Sequence, residues 1–145
     1  FDNLIITRSF SKAYGLAGLR VGYSVCSPLI ADFINRVREP FNVNYTAQVA
    51  AIAALSDAKY LNDSVEINTN GYEQLTSGFD ALKLNYIPSH ANFIAVEFNN
   101  AINIYNDLLK EGVIVRPVEM KGYLRISIGT SNENNHLLSA LKKVL

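Results

Sequence analysis

The chain has 145 residues, 49% of them hydrophobic and 18% charged, enough apolar material for a core and too much for a disordered chain. Lys plus Arg and Asp plus Glu both number 13, a balance that argues against binding nucleic acid or an anionic membrane by bulk charge. One cysteine, Cys26, excludes an internal disulfide framework and any multi-cysteine metal site, and no apolar run approaches the roughly 20 residues that span a bilayer. The opening FDNLIITRSF has no basic n-region and no cleavage-site pattern, so it is not read as a signal peptide. The expectation is a soluble α/β chain of a reducing, cytoplasmic compartment. Because Phe1 is not a methionine and an apolar run begins at Leu4, the chain is also expected to be part of a longer one.

In chain order, the compact β-branched run at 3–8 predicts a buried strand. SFSKAYGLAG supplies small residues for a loop, and 19–25 (LRVGYSV) predicts a second strand. Pro28 suits the first helical position, so a helix is expected from there to Glu39, with Pro40 as its stop. PFNVNY bridges to a helix over AQVAAIAAL with Thr46 as its cap. A long helical stretch follows from Ala58 to about Leu84, although Gly71 and Gly78 argue against one unbroken rod. Strands are then expected at 91–98, 113–118 and 123–130. Between the first two lies a helix over 101–112, ended by Gly112. The last helix, from Ser131, takes that serine as its cap, with Asn134 where a capping box would prefer Glu.

The stretch with chemical content is TRSFSKAYGLAGLRVGY, residues 7–23. Lys12 follows a predicted strand, Ser9 and Ser11 flank it, and Arg20 stands eight positions on. A lysine there can form a Schiff base with a carbonyl if burial or a nearby cation leaves it partly neutral near pH 7. Hydroxyls and a guanidinium on the same loop are donors suited to a phosphate. On spacing alone, a simply solvated lysine is the commoner reading of such a loop. A P-loop is excluded, because its lysine follows the glycines, and GLAG is not the dinucleotide-binding G-x-G-x-x-G. His90 and His136 have no partners at ligand spacing, so no metal site is expected.

SFSKAYGLAGLRVGY resembles the cofactor-lysine segment of fold-type I pyridoxal-phosphate (PLP) enzymes, and most closely that of histidinol-phosphate aminotransferases. The resemblance implies that Lys12 is the catalytic lysine bonded to PLP and that Ser9, Ser11 and Arg20 bind the cofactor phosphate. GVIVRPVEMKGYLRISIGT is similar to the family's C-terminal strand pair. This implies Arg125 on the substrate α-carboxylate and Arg116 near a phosphate-bearing end of the substrate. PFNVN also looks like the family and implies Asn42 or Asn44 near the substrate. A surface ion pair for Arg116, and a plain turn for PFNVN, stay open beside these roles.

The implied fold is α/β. Residues 1–44 would end the large PLP-binding domain, and 45–145 would form bridging helices and a small C-terminal α+β domain. The implied function is transamination of histidinol phosphate with 2-oxoglutarate in histidine biosynthesis, by a cytoplasmic homodimer with no nucleic-acid or membrane partner. Threonine-phosphate decarboxylase, which shares the lysine segment, and aromatic amino-acid aminotransferase of the same fold remain alternatives, as does a non-catalytic stand-alone domain. The family's aspartate for the pyridine nitrogen has no counterpart in this sequence, since Asp2 lies too near Lys12. The 145-residue chain alone is therefore expected to be inactive.

Overall fold

A computed structural model describes residues 1–145, beginning with an antiparallel hairpin of β1 (Ile5–Ser9) and β2 (Gly22–Cys26). The second strand starts at Gly22 and not at residue 19, because Ala17–Leu19 form one 3₁₀ turn that ends in a left-handed Arg20. Helix α1 (Pro28–Val37) has its proline in the first turn, where the missing N–H has no helical partner to lose. It ends two residues earlier than expected, as Arg38 goes extended ahead of Pro40. Helix α2 (Tyr45–Ser56) is capped by Asn44, whose side chain accepts from the Ala47 N–H at 2.8 Å. Thr46 lies inside the helix, which corrects the expected cap. Helix α3 runs unbroken from Ala58 to Ala81.

Two compact units divide the chain, Phe1–Ser64 and Val65–Leu145. In the first, Phe10, Ala47 and Ala51 are buried, while Leu4, Ile5, Ile6, Val25, Phe33 and Ile52 are exposed. Its two strands form a sheet of their own.

The second unit is a four-stranded antiparallel sheet in the order β3-β4-β6-β5, from β3 (Tyr86–Ile87), β4 (Phe93–Glu97), β5 (Arg116–Pro117) and β6 (Tyr123–Ser127). Period-2 alternation turns Ile94, Val96, Leu124 and Ile126 to one face, all fully buried. Leu75 and Phe79 of α3, Leu108 of α4 (Ala101–Lys110) and Leu141 of α5 (Ser131–Val144) close that core. Gly71 and Gly78 do not break α3. A Cβ at either would come within 3 Å of Ile128 or Leu138 side-chain atoms, so the glycines allow close packing. The expected strand at 113–118 reduces to two paired residues, and β3 is an element the periodicity did not predict. No helix is long and apolar enough to cross a membrane.

Candidate functional site

The β1–β2 connection is a loop closed at its neck by backbone pairing. Ser9 lies opposite Gly22, and Phe10 N–H donates to Val21 O at 3.2 Å. Inside the neck, Leu16 N–H reaches Phe10 O at 2.9 Å and Gly15 N–H reaches Lys12 O at 2.8 Å, which tightens the chain around Lys12. Phe10 anchors the loop: it is 4% exposed, with the Tyr14 and Tyr23 rings at 4.9 and 5.9 Å. Two glycines are required here. A Cβ on Gly22 would lie 2.6 Å from Arg8 O, and Gly15 combines φ +71° with the Tyr60 hydroxyl 2.6 Å from where a Cβ would be.

This folding brings four predicted residues to one neck. Ser9 and Ser11 flank buried Phe10, and Arg20 precedes Val21, to which Phe10 is bonded. Ser9 Oγ accepts from the Ser11 N–H at 3.0 Å, so its own O–H remains able to donate. Arg20 takes φ 55° and ψ 52°, a conformation that costs a non-glycine residue about 1–3 kcal/mol. Its Nη1 donates to Ala17 O at 2.8 Å, which folds the guanidinium back over the loop. Lys12 stands exposed, and no acidic residue occurs between positions 9 and 22 to neutralise the cations. The neck thus carries a free amine and a set of anion donors. Asn42 is held elsewhere: its Oδ1 accepts from Arg38 Nη1 at 3.1 Å, after a left-handed Phe41 at φ 56°.

In the second unit, Arg116 and Arg125 face each other directly across β5 and β6. Directly opposed like charges repel, and neither arginine belongs to an ion pair. Arg125 alternates with fully buried Leu124 and Ile126, is itself half-buried, and has a buried Nε without a hydrogen-bond partner. A guanidinium so placed has donor capacity to spare for an acceptor. Two neighbours on β4 escaped the sequence reading. Ala95 lies directly opposite Arg125, and the Phe93 ring lies 4.6 Å from its guanidinium carbon. The alternation of FIAVE puts both on one face, but which strand they neighbour is not written in that pattern. A groove of about 710 Å³ between residues 112–115, 126–129 and the start of α5 includes neither arginine.

An amine on a hairpin loop that also carries hydroxyls and a guanidinium, and a separate sheet carrying two arginines without ion pairs, occur in one mixed α/β chain. The chain belongs to the aminotransferase class I and II family, whose pattern matches residues 2–141. It is 53% identical over 148 residues to a histidinol-phosphate aminotransferase of Methylobacillus flagellatus, covering 100% of this chain and 40% of that protein. It is 55% identical over 147 residues to histidinol-phosphate aminotransferase 2 of Pseudomonas aeruginosa, covering 99% of this chain and 40% of that one. Among solved structures, histidinol-phosphate aminotransferase from Sinorhizobium meliloti in complex with pyridoxal-5'-phosphate superposes with a TM-score of 0.89. The two share 33% identity over 99% of this chain and 41% of that chain. The chain thus spans about 40% of the length of the curated relatives it matches.

Proposed function

We propose that this sequence carries the cofactor-lysine and C-terminal part of a PLP-dependent histidinol-phosphate aminotransferase, with 2-oxoglutarate as amino acceptor. The observation that carries the reading is the loop neck, where Lys12 shares one short segment with Ser9, Ser11 and Arg20 and with no carboxylate. Identity of 53% and 55% to proteins named for that activity supports the substrate.

The donor set fits PLP. The Ser9 and Ser11 hydroxyls and the Arg20 guanidinium would hold its phosphate, and the Lys12 amine would bond its aldehyde carbon. The bound cofactor supplies a conjugated ring that takes up the electron pair released at the substrate α-carbon. Once the substrate amine has displaced it from the cofactor, the Lys12 amine would be free to take the substrate α-proton and hand it back on the same face. Arg125 offers its guanidinium to the acceptor's α-carboxylate, and Arg116 beside it meets the donor's phosphate ester. An anion there relieves the repulsion between the two arginines. Asn42 would stand at the mouth of the site, its NH₂ free to donate while its oxygen holds Arg38.

In this reading the protein is a cytoplasmic homodimer. The exposed apolar side chains of the first unit, Leu4, Ile5, Ile6 and Phe33 among them, support burial against further protein surface. The 145-residue chain by itself lacks turnover, since residues 9–22 bring no acid to sustain a protonated pyridine ring. Turnover of histidinol phosphate by that chain alone would overturn this last point.

The decisive experiment is borohydride reduction of the protein isolated from its source, followed by peptide mapping and a substrate screen. A pyridoxyl group on Lys12, with amine transfer from histidinol phosphate to 2-oxoglutarate, is expected. An unmodified Lys12 would refute the cofactor role, and carbon dioxide release from threonine phosphate would refute the substrate.

A further inference from the structure

Arg125 is a half-buried cation with no counterion. Its Nε is buried without a partner, and its side chain makes no hydrogen bond to the protein. The structure instead sets the Phe93 ring 4.6 Å from the guanidinium carbon, reached diagonally across β4 and β6 because Ala95, not Phe93, lies directly opposite Arg125. An aromatic face attracts a guanidinium without using any of its N–H donors. A carboxylate at either β4 position would occupy those donors and compete with a ligand. The alanine directly opposite offers the guanidinium no side-chain acceptor, and across the other edge Arg116 disfavours any cationic competitor.

We infer that Phe93 is a positioning residue for Arg125, holding the guanidinium over its ring with the donors unspent for an incoming carboxylate. This rests on the proposed role of Arg125 in binding the acceptor. Arginine is rich in rotamers, and ordering such a side chain on binding weakens affinity several-fold. A ring that holds the side chain beforehand removes most of that cost. Its loss should weaken carboxylate binding several-fold while leaving the proton-transfer step alone.

The test is calorimetric titration of 2-oxoglutarate into the cofactor-loaded protein as isolated from its source, with steady-state kinetics in parallel. Phe93→Leu keeps apolar volume and removes the π face. It should raise both the Kd and the KM for 2-oxoglutarate about fivefold, with kcat within about twofold of the parent, the size expected for losing one pre-ordered side chain. Phe93→Tyr, which keeps the ring, should restore the parent values. Phe93→Met serves in place of leucine if Phe93→Leu does not fold, with the same expectation. Arg125→Gln separates the two levels of the argument. If it leaves the Kd unchanged, the role given to Arg125 fails. If it weakens binding while Phe93→Leu does not, the positioning role alone fails. A parallel fall in kcat and melting temperature in both Phe93→Leu and Phe93→Tyr would mark Phe93 as packing only and would also overturn the inference.

Discussion

At the scale of single residues, side chains of opposite character hold the two arginine- and lysine-bearing segments in shape. Gly22 allows β2 to approach the Arg8 carbonyl, where a Cβ would meet the oxygen at 2.6 Å. Gly22→Ala should therefore displace the neck of the Lys12 loop. Loss of bound-PLP absorbance is expected in the protein from its source, with less effect on overall folding. Asn134 is the one buried polar side chain, 1% exposed. Its Oδ1 accepts from Gly129 N–H at 3.0 Å, and its Nδ2 donates to Gly129 O at 3.0 Å and Gln74 Oε1 at 3.1 Å. Asn134→Ala leaves those groups unsatisfied in the interior and should cost about 1–3 kcal/mol, read as a lowered melting temperature. The sequence reading put Asn134 at the position where a capping box prefers Glu; with Thr130 as the cap, Glu133 takes that position and Asn134 lies one residue beyond it. Lys12, Ser9, Ser11 and Arg20 were legible as a group since they lie within twelve residues, and the hairpin brings near what is already near. Phe93 was not legible: its relation to Arg125 spans 32 positions and two strands.

At the scale of elements, propensity and punctuation located most helices and strands, and local hydrogen bonding moved their ends. Helix α5 begins one residue earlier than its serine suggests. Thr130 is the cap, its hydroxyl accepting from Glu133 N–H, while Glu133 Oε2 accepts from Thr130 N–H at 2.7 Å. Ser131 and Thr130 are both good caps, and only the register of the final turn of chain before the helix decides between them. The backbone and side-chain hydrogen bonds of Thr130 hold the Glu133 carboxyl below its ordinary 4.5. A depressed folded-state value means the contribution is present above about pH 4.5 and lost as pH falls through the lower folded value. Glu133→Gln should therefore narrow the fall in melting temperature with acid, and the two proteins should differ most above pH 4.5. Thr130→Ala should cost about 1 kcal/mol at neutral pH, seen as the same kind of shift. The strand expected over 113–118 shrank to Arg116–Pro117: the Val113 N–H donates to Leu108 O at 2.9 Å, and Pro117 has no N–H to extend the ladder beyond it.

At the scale of the whole molecule, the lysine loop and the continuous core lie in different units. The second unit has the continuous core of Leu75, Phe79, Ile94, Val96, Leu124, Ile126 and Leu141. The first unit has the lysine loop on a two-stranded ribbon whose apolar residues are largely exposed. Hydrogen exchange should show the amides of β4 and β6 as the slowest and those of β1 and β2 as much faster in the 145-residue chain. Equal protection of the two sheets would contradict the exposure seen here. Phe79→Ala removes a fully buried ring and should cost about 3–5 kcal/mol, enough to unfold the second unit at moderate temperature.

The sequence by itself determined the α/β class, the succession of elements apart from β3, the lysine loop and the arginines on their strands. Each depends on residue type, period or spacing within a few turns of chain. Tertiary structure decided which side chains stand beside those arginines, the short strand Tyr86–Ile87 and the buried role of Asn134. Those outcomes depend on strand order and on groups far apart in the chain, and a local pattern contains no information about which distant segment will supply the hydrogen bond or the ring.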